Sequence, residues 1–217
     1  MSPFKLLALD WNGCVLDDRI FHYESVKFIL ARYGLRSPSL TKYFREFEKI
    51  GWKEFYYHYG VPRTESLGTL NEIRREFMKK NWTTSVLRPE IWGLFACCFA
   101  YKIHRVLVTQ EIPELVSGQL EKSGIQRYFE ICFTGLKNKK GPLAEAIQHF
   151  GVSPHETLFV DDMPQCITEA KELGVYTVGM TKGFTSKRGI ARAKPDVMIE
   201  SLEEATSLLR NSHLENT

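Results

Sequence analysis

The sequence predicts an α/β fold: a doubly wound parallel sheet with a helical segment inserted after the first strand. Three observations predict it. Short runs recur that are apolar from end to end, as strands covered on both faces require. From about residue 104 these runs alternate with helical patterns, and such alternation builds an open sheet with right-handed crossovers. Between residues 18 and 91 the alternation stops and only helical spacing remains.

The first strand is Leu6–Leu9, which delivers Asp10 to the turn Trp11-Asn12-Gly13. In the segment that follows, Val26, Ile29, Leu30 and Tyr33 are spaced three and four apart, and Gly34 closes the helix. Tyr43, Phe44, Phe47 and Ile50 repeat the spacing, as do Phe55, Tyr56 and Tyr59, then Leu70, Ile73 and Phe77. Aromatic residues at helical spacing form a core more often than a ligand pocket. Asp17-Asp18 suits the start of the first inserted helix, where a short carboxylate caps free N–H groups. The sheet resumes with Val106–Val108, Ile131–Phe133, Leu158–Val160, Val175–Val178 and Val197–Ile199. Helices over Pro113–Lys122, Leu143–Phe150 and Ile167–Leu173 lie between them, stopped by Gly124, Gly151 and Gly174. The expected organisation is an α/β core over residues 1–17 and 92–217 and a helical cap over 18–91.

Composition narrows the function classes. The 217 residues suit one domain carrying an insert. A hydrophobic content of 43% is enough for a core and unlike a disordered chain. A net charge of +3 is too mild to suggest nucleic acid or an anionic membrane surface as partner. The longest apolar patch, Ile91 to Ala100, is too short to span a bilayer. Phe4-Lys5-Leu6-Leu7 lacks the charged, apolar, small-residue order of a signal peptide. Cys14, Cys97, Cys98, Cys132 and Cys166 are odd in number and contain no CxxC pair, as expected of reduced thiols. The expectation is a cytoplasmic protein with a small-molecule partner.

Ligands of an open parallel sheet bind at the carboxyl ends of its strands. Asp10 ends the first strand, Thr109-Gln110 follow Val106–Val108, and Asp161-Asp162 follow Leu158–Val160. Lys140 stands just ahead of the Leu143–Phe150 helix, with Lys137 and Lys139 close enough in sequence to serve instead. Clustered carboxylates repel one another and take up protons unless a cation joins them. A hard divalent ion with oxygen ligands, Mg2+, removes the repulsion. Mg2+, a lysine, a hydroxyl and backbone N–H groups together cradle a phosphoryl group. One carboxylate of such a cluster is able to attack phosphorus and form an aspartyl-phosphate.

Asp10-Trp11-Asn12-Gly13-Cys14, Thr109, Lys140 and Asp161-Asp162, in that order and at strand ends, resemble the four motifs of the haloacid dehalogenase superfamily. The inserted helices resemble that superfamily's α-helical cap, which is expected to close over the crevice, exclude water and select substrate. The resemblance implies a role for each position. Asp10 would be nucleophile and metal ligand, and the backbone carbonyl of Asn12 a second ligand. Asp162 would be the acidic ligand, with Asp161 as neighbour or alternate. Thr109 and Lys140 would hold the phosphoryl oxygens. The implied activity is Mg2+-dependent hydrolysis of a small phosphorylated metabolite, with a related hydrolase or phosphotransferase as the nearest rival.

The sequence departs from the superfamily pattern in one place that matters to the chemistry. Its phosphatases usually carry an aspartate two residues after the nucleophile, as general acid and base. Here that residue is Asn12, and an amide hydrogen-bonds but neither gives nor takes a proton. A catalytically weak phosphate- or metabolite-binding protein is therefore the rival from another class. Cys14 stands where the motif often has threonine, and Cys166 where it often has a second polar residue; both read as small buried thiols.

Overall fold

The computed structural model describes residues 3–81 and 86–214. In chain order the first elements are β1 (Leu6–Leu9), β2 (Leu16–Asp17), α1 (Arg19–Arg32), α2 (Leu40–His58), α3 (Leu67–Asn81) and β3 (Val86–Leu87). Then come α4 (Ile91–Tyr101), β4 (His104–Val108), α5 (Pro113–Ser123), β5 (Ile131–Phe133) and α6 (Lys140–Phe150). The chain closes with β6 (Thr157–Asp161), α7 (Pro164–Lys171), β7 (Tyr176–Met180), α8 (Lys187–Arg192), β8 (Val197–Ile199) and α9 (Leu202–Leu214). Two compact units result, residues 1–17 with 87–217, and residues 18–86. The second boundary falls before Leu87, earlier than residue 92, and within the first unit the Arg88 N–H donates to Val15 O at 2.9 Å.

The six-stranded sheet of the first unit is parallel throughout, in the order β5-β4-β1-β6-β7-β8. Successive residues of a strand point to opposite faces. Leu7, Leu9, Leu107, Leu158 and Val160 pack with residues of α4, α5 and α9. Leu6, Ala8, Val106, Val108 and Phe159 pack with Leu143 and Ala146 of α6 and Cys166 and Ala170 of α7. Both faces are covered, which explains runs without polar alternation. After β1 the chain winds outward through β4 and β5, then returns to lay β6 on the other side of β1. The order therefore reverses between β1 and β6, and that switch point opens a crevice beyond the strand ends.

The helical unit of residues 18–86 has its own core, built from Val26, Ile29, Leu30, Tyr43, Phe55, Tyr56, Val61 and Leu70. Phe55 and Tyr56 are buried there, as core residues. Gly51, at φ 71°, breaks the helical path inside α2. Asp18 is the N-cap of α1, but its side chain makes no capping hydrogen bond. Its carboxylate instead meets His22 Nε2 at 3.1 Å, and His22 Nδ1 lies 3.4 Å from the Arg74 guanidinium.

The strand ends and several elements differ from expectation. β4 and β6 run past their apolar runs because the backbone ladder continues through His104, Arg105, Thr157 and Asp161, whose side chains carry no apolar signal. β2 and β3, at two residues each, are too short to show a period. Among the described residues no helix is long and apolar enough to cross a membrane.

Gly179 lies in β7 with no room above it. A Cβ there would stand 2.3 Å from Ile190 Cγ2 and 3.1 Å from Pro195 Cγ. Gly179→Ala should therefore lower stability by about 1–3 kcal/mol, the cost of overpacking, as read from urea unfolding.

Candidate functional site

The sheet register decides which side chains meet. Leu9 pairs with Val160, so Asp10 is level with Asp161, and the Asp10 N–H continues the ladder to Val160 O at 3.0 Å. Level residues of parallel strands share a face. Asp10 follows Ala8 and Asp161 follows Phe159 on the face covered by α6 and α7. The N-cap of α6 is Lys139. Its ammonium donates to Asp161 Oδ2 at 2.6 Å and also to Asp10 Oδ1. Its backbone N–H is held by Glu169 Oε2 at 2.7 Å.

Lys139, not Lys140, thus meets the carboxylates. Lys140 is exposed and pairs with Glu172 at 2.7 Å, and Lys137 is exposed as well. The reason is rotational: Lys139 precedes buried Leu143 by four residues and so shares its stripe, whereas Lys140 is turned away. The other expected positions gather less tightly. Thr109, buried at the end of β4, accepts the Glu111 N–H on its Oγ1 at 3.1 Å. Asn12 is half-buried in the turn after β1, bridged to Leu16.

Asp161 and Asp162 are adjacent but differently engaged. Asp161 Oδ1 accepts the Met163 N–H at 2.8 Å, while Oδ2 takes Lys139. Asp162 Oδ2 accepts the Phe184 N–H. Two glycines press against that carboxylate: a Cβ on Gly13 would lie 2.4 Å from Asp162 Oδ2, and one on Gly183 2.2 Å. Gly13 also sits at φ +79°, a conformation that disfavours other residues.

Groups the sequence did not single out hold the turn in place. Trp11 Nε1 donates to Gln119 Oε1 of α5 at 2.6 Å, both residues being buried. The buried Arg88 guanidinium donates to Gly13 O and to Lys182 O, each at 3.0 Å. Gln119, Arg88, Lys182, Glu169 and Phe184 lie in none of the motifs that the sequence offers.

Burial sets the electrostatics. Asp10 is pushed up to about 7, by burial first, with the Lys139 charge opposing and Asp161 adding to the rise. Asp162 is raised well above the usual carboxylate range by burial, then by Asp10 and Asp161. Burial works against the Lys139 ammonium, but Asp10 and Asp161 outweigh it and hold the proton well above the ordinary lysine value. Burial, then Asp162 and Asp10, keep the Cys14 thiol protonated. Three buried carboxyl groups share one ammonium, and ionising all three would leave an excess of negative charge that a cation offsets. Asp10, Cys14 and Asp162 bring donor atoms within 4.8 Å of one another. The two carboxylates suit a hard divalent ion, whereas a protonated thiol does not.

Known proteins resemble this chain in sequence and in fold. A family model described as haloacid dehalogenase-like hydrolase matches residues 8–180. A phosphoglycolate phosphatase of Salmonella typhimurium is 31% identical over 162 residues, covering 72% of this chain. The match spans 64% of that relative's length. The Escherichia coli K12 phosphoglycolate phosphatase is 33% identical over 115 residues, covering 51% of this chain and 46% of its own. Among solved structures, a haloacid dehalogenase-like hydrolase from Streptococcus pneumoniae superposes with TM-score 0.81 at 15% identity, over 94% of this chain and 98% of that one. A CbbY variant from Rhodobacter sphaeroides, crystallised with xylulose-(1,5)bisphosphate, gives 0.75 at 17%, over 91% and 94%. Those two likenesses concern the fold.

Removing one partner of a buried ion network leaves uncompensated charge, at a cost of about 3–5 kcal/mol. Lys139→Met should destabilise the protein on that scale. Lys140→Met, which breaks an exposed pair, should stay within about 1 kcal/mol. Urea unfolding of the two variants side by side reads the difference; equal effects would return the site to Lys140.

Proposed function

The chain belongs to the haloacid dehalogenase-like hydrolase family, and on that premise we propose that it is a Mg2+-dependent phosphatase acting on a small phosphomonoester through an aspartyl-phosphate. The observation that carries the proposal is the buried Lys139 ammonium shared by Asp10 and Asp161, with the Asp162 carboxylate close to Asp10. The curated relatives named phosphoglycolate phosphatase support the same reading. Five cysteines without a disulfide support a reducing compartment, the cytoplasm.

Each residue has a defined task. An Asp10 carboxylate oxygen attacks phosphorus as the bond to the ester oxygen breaks, and the leaving alkoxide departs with the electron pair. Lys139 favours the ionised form of Asp10 and offers positive charge to the incoming phosphoryl oxygens. Thr109 lies at the neighbouring strand end as a second phosphoryl contact. Mg2+ would be held by Asp10, Asp162 and the Asn12 carbonyl, where its charge favours ionised carboxylates and offsets that of the phosphate. Asp161 is the positioning residue: both its oxygens are engaged, by Lys139 and by the Met163 N–H. Water then attacks the acyl-phosphate, releasing phosphate and restoring Asp10.

Asn12 neither gives a proton to the leaving alkoxide nor takes one from the attacking water, so solvent protonates the alkoxide and the water's proton leaves with the released phosphate. A positioned acid–base group typically contributes ~10²–10⁴-fold, so its absence weighs most on poor leaving groups. This residue also supports a second reading, a weakly catalytic phosphate-binding protein.

A panel of phosphate esters, with 4-nitrophenyl phosphate and phosphoglycolate among them, assayed with and without Mg2+, tests the proposal. We expect a burst followed by slow turnover on 4-nitrophenyl phosphate, little activity on alkyl esters, and no turnover in Asp10→Asn. Asn12→Asp should speed turnover, most of all on alkyl esters. If it is faster on none, the binding-protein reading takes over.

The proton balance gives an independent check. Asp10 has an ordinary value of 3.8 and sits at about 7 when folded. Between those values the folded protein keeps a proton that the unfolded chain has lost. Metal-free stability should therefore fall as pH rises from about 4 to about 7, and the raised Asp162 adds to the fall. Mg2+ should flatten that slope, because it holds both carboxylates ionised. Denaturation in EDTA and in Mg2+ across that range would show parallel curves if the carboxylates do not bind metal.

A further inference from the structure

Two glycine loops wall in the Asp162 carboxylate, and one buried side chain joins them. Gly13, after β1, and Gly183, after β7, both press on Asp162 Oδ2 so closely that neither position has room for a Cβ. Arg88, 8% exposed, donates from Nη2 to Gly13 O and to Lys182 O, each at 3.0 Å. The Lys182 carbonyl and the Gly183 Cα lie in one peptide plane, so fixing the first fixes the second. Phe184, one residue on, gives its N–H to Asp162 Oδ2 and brings its ring to within 2.9 Å of where a Gly13 Cβ would stand. Arg88 itself is anchored by its own N–H on Val15 O at 2.9 Å.

We propose that Arg88 is a positioning residue for Asp162: by donating to both carbonyls from one nitrogen, it holds the two glycine loops closed on the carboxylate and keeps that carboxylate in place to bind Mg2+. The proposal rests on the phosphatase reading, in which Asp162 is a metal ligand. Asp162 shares its surroundings with Asp10 and Asp161, and like charges repel. Glycine is the most pliable backbone, so the two loops offer little resistance of their own to that push. A cation bridging their carbonyls supplies the missing restraint. Outer partners of this kind orient a ligand without touching the metal.

A guanidinium is a poor choice for filling space here. Burying a cation is costly. Arg88 Nε has no acceptor among the described residues, and the exposed Asp17 carboxylate stands off at 3.9 Å. An apolar side chain of similar length would fill the volume without those costs. What it would not do is hold two carbonyls from separate loops at one point.

Amide exchange of the metal-free full chain, followed by NMR, tests the proposal, with Mg2+ calorimetry beside it. In Arg88→Met the Phe184 N–H should exchange several-fold faster than in the parent. The Thr177 N–H, held by Asp196 Oδ2 at 2.8 Å near the start of β7, should keep its rate. Mg2+ should bind about 10–100-fold more weakly. Arg88→Lys is one bond shorter but still carries a donor for both carbonyls, and it should fall between Arg88→Met and the parent on both readouts. If Arg88→Met does not fold, Arg88→Lys against the parent decides the matter by the same two readouts. Unchanged exchange at Phe184, exchange raised equally at Phe184 and Thr177, parent-like Mg2+ affinity, or no recovery in Arg88→Lys would each overturn the proposal. A parent without Mg2+ affinity would instead refute the metal reading, and the exchange comparison, made without metal, would still decide whether Arg88 holds the loops around Asp162.

Discussion

The ion pair between Lys139 and the two strand-end carboxylates is the constraint around which the α/β unit is arranged. A buried ammonium is costly to desolvate, and it stays charged because Asp10 and Asp161 are both within reach. That geometry requires β1 and β6 to be neighbours in a fixed register, and it requires α6 to begin at residue 140. Glu169 of α7 grips the Lys139 N–H, so α7 is drawn into the same arrangement. Sheet order, register and two helix positions therefore serve one contact.

Asp162 belongs to a tighter and less forgiving environment. Backbone surrounds it, with Gly13 on one side and Gly183 and the Phe184 N–H on the other. The carboxylate is held by atoms common to every residue, and the space around it exists only because two positions lack a Cβ. Asp161 and Asp162 are neighbours of one type, yet one is tied to a cation and the other to main chain. Their chemical roles separate for that reason rather than through any difference in kind.

Much of this was legible in the sequence, for identifiable reasons. Strands covered on both faces announce themselves as unbroken apolar runs, and β1, β5 and β8 fell at the residues those runs mark. Family motifs pointed to Asp10, Thr109 and the Asp161-Asp162 pair, which are buried at or just beyond the ends of β1, β4 and β6. The lysine was left open among Lys137, Lys139 and Lys140, with Lys140 first, although Lys139 stands four residues before Leu143 on the stripe that α6 buries. Helical phase held that answer. By contrast, Gln119 and Arg88 carry no local mark, since their partners, Trp11, Gly13 and Lys182, are brought to them only by the tertiary fold. α4 was hidden for another reason: with both sides apolar it has no amphipathic contrast to detect.

Arg88 touches the loops after β1 and β7 through the carbonyl oxygens of Gly13 and Lys182, with the Asp17 carboxylate farther off at 3.9 Å. A latch that reads main chain is blind to side-chain identity. Position 182 can therefore drift through many residue types while the latch holds, whereas position 88 cannot, because both carbonyls take their hydrogen bonds from one buried nitrogen, Arg88 Nη2, and few side chains are long enough to bring a cationic donor there. Variation among descendants of this chain should collect at the latched loop and spare the latch, so that new surface chemistry can be tried beside the crevice without loosening the turn that carries Asn12.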